Sequence, residues 1–217
     1  LVSVQGPQNN VLAFVAREAT PFEFETYPYA ELSAATNFSF LRGASTGKDM
    51  VLASVLLGYT GLGIADRNTV AGVVRAHVAL RRAREDAAEE GIALPDFRLV
   101  VGARLVFADS TPDIIAYPAT RHGWGRMTRL LTLGNRRAEK GDCILHLDDL
   151  MELADEMLFI LMAGPRQEAF VARMAAAFPG AVWLAAMMPR GGSDHVFPPH
   201  QPWSGEGRDA KDRSRQD

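Results

Sequence analysis

The stretch Tyr29–Ser45, YAELSAATNFSFLRGAS, decides how the rest of the chain is read. Tyr29, Glu31 and Ser33 alternate with Ala30, Leu32 and Ala34, the period of two that a strand imposes on its faces. Asn37, Ser39, Gly43 and Ser45 then supply turn and capping chemistry, so the strand is predicted to run into a loop, with Ser45 capping the helix that follows. In barrel architectures that carboxyl end is where a site is built. The stretch carries no histidine, cysteine or aspartate with which to build one around a metal.

Outward from this strand the chain repeats a β-α pattern. A helix through Lys48–Leu57 stops at Gly58, and Gly61–Asp66 (GLGIAD) reads as a buried strand ending in an acid. Thr69 is the expected cap of a second helix, whose apolar face is Val70, Val73, Val74, His77, Val78 and Leu80, with His77 packed among them. Its continuation, RRAREDAAEE, reads as a solvated face that stops at Gly91. Strands are predicted at Arg98–Phe107, Asp113–Tyr117, Met157–Met162 and Ala181–Ala186, and helices at Trp124–Arg137, Leu147–Glu152 and Pro165–Phe178. This alternation favours an α/β fold with a parallel sheet or barrel.

Composition bounds the class. The chain has 217 residues, 47% hydrophobic and 23% charged, with a formal net charge of −3, so any surface for nucleic acid must be local. The single cysteine, Cys143, is expected to be a bland thiol, and no C-x-x-C pair offers a zinc site, which makes a reducing cytoplasmic setting the default. Residues 1–28 lack the features of a signal peptide and read as an extension; no run approaches ~18 consecutive apolar residues, so no membrane partner is expected. Of the 31 residues from Met187 on, 18 are Pro, Gly or charged and none follows a helix or strand period, so 187–217 is predicted to be disordered.

Few other motifs carry chemistry. GASTGKD, Gly43–Asp49, mimics a phosphate loop, but it has one residue too few between its glycines and Asp where Ser or Thr should follow Lys48; it reads as a helix cap. His195 and His200 lack a second ligand pair, and no G-x-S-x-G or G-x-G-x-x-G occurs. Arg121–Lys140 is the densest basic segment: Arg121, Arg126, Arg129, Arg136, Arg137 and Lys140 stand against one acid, a local +5. It reads either as a contact for DNA phosphates or an acidic domain surface, or as a solvated helix flank offset by the acidic run Asp148–Glu156.

The chain from Tyr29 to about Ala186 resembles the PHP domain at the amino terminus of bacterial C-family replicative DNA polymerases, most closely the error-prone, translesion branch (the ImuC type). The family's first motif, E-L-H-x-H-S-x-F-S, is met by Glu31, Leu32, Asn37, Phe38, Ser39, Phe40 and Leu41, with Ser33 and Ala35 at the two histidine positions. A T-D-H-D-like motif corresponds to Ala65, Asp66, Arg67 and Asn68, with Gly72 following; a V-G-A-E motif corresponds to Val101, Gly102, Ala103 and Arg104. The segment Leu130–Gly141 matches one associated with the error-prone branch. The resemblance implies a distorted (β/α)7-type barrel over 29–186, incomplete at its C-terminal end because the family's late strand and helices have no counterpart after Ala186.

The same resemblance implies a structural module packed against the body of a polymerase that extends primers across damaged templates. The nucleotidyl-transfer acids would lie in a palm beyond this region, so no catalytic residue is expected here. The positions Ser33, Ala35, Asp66, Arg67, Asn68 and Arg104 are those of a degenerate metal site, and no cofactor is expected. An ion pair of Arg67 or Arg104 with Asp66 or Glu31 is the expected replacement for the metals. An open barrel predicts low stability, proteolysis near Pro189–Gly192 and self-association. The alternatives are a metal-dependent phosphoesterase or proofreading exonuclease with unrecognised ligands, and an inert truncated product.

Overall fold

A computed structural model describes residues 2–3, 28–162, 164 and 167–187. Its main sheet has six strands in the order β2-β3-β4-β5-β6-β7. They are β2 (Ala30–Ala34), β3 (Gly61–Arg67), β4 (Arg98–Leu105), β5 (Ile114–Pro118), β6 (Met157–Leu161) and β7 (Val182–Leu184). Two short segments, β1 (Val2–Ser3) and β8 (Ala186–Met187), pair separately and in parallel. The helices are α1 (Gly47–Leu56), α2 (Ala71–Glu89), α3 (Arg121–Arg137), α4 (Leu147–Leu153) and α5 (Glu168–Ala177). The rest of the expected N-terminal extension, the tail from residue 188, its histidines and the proteolysis site all lie outside the described residues.

The sheet is mixed rather than wholly parallel. β2, β3 and β4 are parallel, but β5 is antiparallel to both β4 and β6. Residues 106–113, which join β4 to β5, hold no helix, and a parallel return needs a crossover of a dozen or more residues. β6 recovers the common direction after α3 and α4, and β7 pairs with it in parallel after α5.

Among the described residues, helices cover one face only. Leu62 and Ile64 of β3 pack under Val51 of α1 and Ala76 and Leu80 of α2; Ala103, Leu105, Ile114, Ala116 and Phe159 pack under Met127, Leu130 and Leu131 of α3 and Leu150 of α4. The opposite face gathers Ala65, Ile115, Tyr117, Ile160 and Met162, with Leu32 and Val100 against them. This face is concave. The hydroxyl of Tyr117 on β5 donates to the Leu32 carbonyl on β2 at 2.6 Å, although three strand spacings on a flat sheet would be ~14 Å, beyond a tyrosine's reach. Gly63 and Gly102 make room: a Cβ on Gly63 would lie 2.4 Å from that hydroxyl, and one on Gly102 2.6 Å from the ring. Among the described residues the curl stops short of closure, with β2 and β7 as its two edges and Trp183 and Leu184 exposed on β7.

Several local expectations are corrected. Thr46, not Ser45, caps α1, its hydroxyl accepting from the Asp49 amide at 3.2 Å. Val70 occupies the N-cap of α2, while the Thr69 hydroxyl accepts from the Ala71 amide at 3.2 Å. The buried side of α2 is Gly72, Ala76, Ala79, Leu80 and Ala87, and His77 and Val74 are exposed. Small residues win that face because α1 approaches closely; a Cβ on Gly47 would meet the Gly72 carbonyl at 2.8 Å and the Ala76 methyl at 3.2 Å. α3 begins at Arg121, earlier than expected, because Thr120 caps it by accepting from the Gly123 amide at 3.1 Å.

Candidate functional site

The carboxyl ends of β2, β3 and β4 share one rim, and the sheet's period of two sorts its residues onto opposite faces. Asp66 pairs in register with Ala103, on the helix-covered side. The next pair, Arg67 and Arg104, is on the concave side.

Asp66 is fully buried, and both its carboxylate oxygens are occupied. The Thr36 amide donates to Oδ1 at 2.7 Å, the Thr36 hydroxyl to Oδ2 at 2.8 Å and the Ser39 hydroxyl to Oδ1 at 2.6 Å. Ser39 also accepts from the Arg67 amide at 3.0 Å. The carboxylate thus ties the loop after β2 to the end of β3. Gly72 permits this, since a Cβ there would lie 2.5 Å from Asp66 Oδ2 and 2.6 Å from the Thr36 hydroxyl.

Glu31 is also buried but is satisfied within its own strand. The Tyr29 hydroxyl donates to Oε2 at 2.8 Å, and the Ser33 amide and hydroxyl donate to Oε1 at 2.6 and 2.7 Å. A bulge between Glu31 and Ala34 inserts an extra residue there and lets Ser33 fold back onto the carboxylate. Its charge, after burial, pushes the Tyr117 and Tyr59 hydroxyls upward in pKa.

The expected ion pair is therefore corrected. Neither Arg67 nor Arg104 meets Asp66 or Glu31; Arg104 Nε instead donates to Asp113 Oδ2 at 2.8 Å. Asp66 is out of reach because consecutive strand residues point to opposite faces, whereas Asp113, just before β5, lies beside Arg104 on the concave face. Asn68 caps the end of β3 in the left-handed region (φ 49), where its side chain brackets Val106, accepting from the amide at 2.8 Å and donating to the carbonyl at 3.1 Å. Arg42 leans onto the same rim. Burial, and then the charges of Arg67 and Arg104, push its guanidinium below the ordinary value, while Asp113 opposes that shift.

These residues do not fit a hydrolytic metal cluster. Ala35 has no donor atom, the Asp66 oxygens are engaged on the far face, and two permanently charged guanidinium groups stand where imidazole or carboxylate would be needed. Among the described residues, no group of three or more His, Cys, Asp or Glu could hold a metal ion. Arg42, Thr36 and Asp113 were not singled out by sequence. Ser39 carried a turn signal and a place in the family's first motif, Thr36 carried neither, and Asp113 stood only as the first residue of a predicted strand.

The basic segment is divided by its neighbours. Arg137 grips Asp149 with both terminal nitrogens, Nη2 to Oδ1 at 2.8 Å, and Arg126 pairs with Asp155 at 2.9 Å. The bonds from Arg137, chiefly, hold the Asp149 carboxyl below its usual range. Arg121, Arg129, Arg136 and Lys140 remain exposed, with Arg129 and Arg136 lining an open groove beside Thr132 and Leu133. Cys143 is half-buried, and burial pushes its thiol up.

Fold and rim together define an open, mixed α/β half-barrel. Over most of the described region the chain is homologous to error-prone DNA polymerases. "Error-prone DNA polymerase 1" of Rhizobium meliloti (strain 1021) is 54% identical over 136 residues, 63% of this chain and 11% of that protein. The "Error-prone DNA polymerase" of Brucella abortus biovar 1 (strain 9-941) is 44% identical over 172 residues, 77% of this chain and 15% of that protein. The chain thus spans only a small fraction of the length of these relatives. No protein-family model matches it. Among solved structures, an amidohydrolase from Chromobacterium violaceum covers 71% of this chain and 75% of its own at 15% identity, with a TM-score of 0.41. A Bifidobacterium adolescentis protein described as a metal-dependent phosphoesterase covers 69% and 50% at 22% identity, with a TM-score of 0.32. Likeness at that level adds nothing to the sequence relationship. No helix among the described residues is long and apolar enough to cross a membrane.

Proposed function

We propose that this chain is a metal-free PHP domain that serves an error-prone DNA polymerase as a structural and interaction module, without catalysis of its own. The observation that carries the reading is the register pair Arg67 and Arg104, which sets two fixed positive charges side by side where a metal cluster would need ligands. The work of the site has passed to Asp66, which fastens the loop after β2 from the helix side. In the cytoplasm, the partner would be the body of the polymerase, met along the open edges and the exposed Trp183 and Leu184; alone, the chain would self-associate through them. Arg121, Arg129, Arg136 and Lys140 form the surface proposed to approach DNA phosphates during synthesis across damage.

The experiment is a phosphoester hydrolysis assay with the full chain and added Mn²⁺ or Zn²⁺. The reading expects turnover no faster than that of the free ion. Metal-stimulated hydrolysis abolished by Asp66→Asn would replace it with a metal-dependent phosphoesterase.

A further inference from the structure

An open groove of about 710 Å³ runs between α1 and α2. Leu52, Val74 and Val78 give it an apolar lining, and Lys48, Arg75 and Arg82 stand around it against one acid, Asp86. All three cations are exposed, and none pairs with a described residue. Val74 is 68% exposed, so the groove leaves apolar surface uncovered.

The apolar line runs on beyond the groove. Leu56, one turn after Leu52 on the same face of α1, is 87% exposed. It lies at the end of α1 where the chain enters β2: the Tyr29 ring packs edge-on against Tyr59, centroids 4.8 Å apart, and the Tyr29 carbonyl accepts from the Thr60 amide at 2.7 Å. The residues before Pro28 therefore join the fold at the carboxyl end of α1, with Leu56 and then Leu52 leading along the helix to Lys48, about 12 Å away.

Those residues have the complementary chemistry. Glu18–Tyr27, EATPFEFETY, holds three acids and no base. Phe22 and Phe24 alternate with Glu23 and Glu25, a pattern that sets the rings on one side of an extended backbone and the carboxylates on the other. Six extended residues span ~20 Å, enough to carry Phe22 from Pro28 past the whole of that line. The other long stretches outside the described residues lack this character: 4–17 has Arg17 and no acid, and 188–217 balances five bases with five acids.

We propose that Glu18–Tyr27 docks along the α1–α2 groove of its own chain, with Phe22 and Phe24 against Leu52, Leu56 and Val74, and Glu18, Glu23 and Glu25 answering Lys48, Arg75 and Arg82. Burial of the two rings supplies the affinity, and the charges fix the register. Attachment through Pro28 makes the contact intramolecular, which raises its effective concentration. The contact is independent of the rim and of its metal content.

The test is limited chymotrypsin cleavage of the folded 217-residue chain, followed after Phe22 and Phe24 by mass spectrometry, with a synthetic peptide of residues 16–30 as the unprotected reference. Cleavage in the chain is expected to be about tenfold slower than in the peptide, because proteolysis tracks the population of the open form. Arg75→Glu with Arg82→Glu, or Glu23→Lys with Glu25→Lys, should each raise the rate about fivefold, as expected for two exposed charge pairs. Combining the two reversals should restore protection, and Arg129→Glu should change nothing. If the reversal on α2 lowers the urea midpoint of the fold, Lys48→Glu, exposed in the first turn of α1, takes its place. Cleavage at the rate of the free peptide, or reversals that neither speed it nor compensate each other, would overturn the proposal. Protection that rises with protein concentration would seat the segment on a second copy and overturn the contact within one chain.

Discussion

The Ser39 hydroxyl donates to Asp66 at 2.6 Å and accepts from the Arg67 amide at 3.0 Å, so one buried side chain joins the loop after β2 to the end of β3. An acid that sequence alone places among metal ligands is here a tie between two segments.

Asp66→Ala is expected to leave the Thr36 amide and the Thr36 and Ser39 hydroxyls without their acceptor, at a cost of about 3 kcal/mol. Urea unfolding in EDTA measures it. An unchanged midpoint would mean that the carboxylate is not structural.

The curl of the sheet is tested by Gly63→Ala, which sets a methyl 2.4 Å from the Tyr117 hydroxyl. A loss of about 2–3 kcal/mol is expected from the overpacking. Adding Tyr117→Phe should recover part of it, because the clashing oxygen is gone; strictly additive losses would show that the two side chains do not meet.

Those two predictions mark what was and was not legible in the sequence. The strands could be read because β3 and β5 are apolar runs, and α1 because a hydroxyl-rich stretch precedes it, although its cap is Thr46 rather than Ser45; the Thr120 cap of α3 was missed. The direction of β5 was within reach, since the helix-free 106–113 forbids a parallel return, but the β-α rhythm elsewhere outweighed it. Ser33, Ala35, Arg67 and Arg104 were singled out through the resemblance alone. Their partners were not, because which face a side chain takes at a strand end depends on register and on the bulge at Glu31–Ala34. His77 was misplaced because small residues, not the valines, face α1.

The basic segment should split by position. Arg129→Glu with Arg136→Glu is expected to weaken DNA binding at low salt and to reduce its salt dependence by about two ions' worth. Arg137→Glu should instead lower stability, since it breaks the bidentate pair with Asp149. Fluorescence anisotropy across a salt series, beside thermal unfolding, separates them. Equal effects of both variants on DNA affinity would contradict the division.

Acid sensitivity follows from the same pair. A carboxylate whose folded pKa is held low adds stability above its unfolded value of about 3.9, and that stability is lost as pH falls through the folded value. Asp149→Asn should therefore flatten the stability profile below about pH 4, as followed by denaturation at a series of pH values. A profile with the same acid limb would assign it to other carboxylates.

The most direct test of the metal-free reading is elemental analysis of the purified full chain after dialysis, taken with and without prior incubation in Zn²⁺, Mn²⁺ or Fe²⁺. The Arg67 and Arg104 pair predicts no stoichiometric metal in either sample. One or more equivalents retained, and lost on Asp66→Asn, would contradict it.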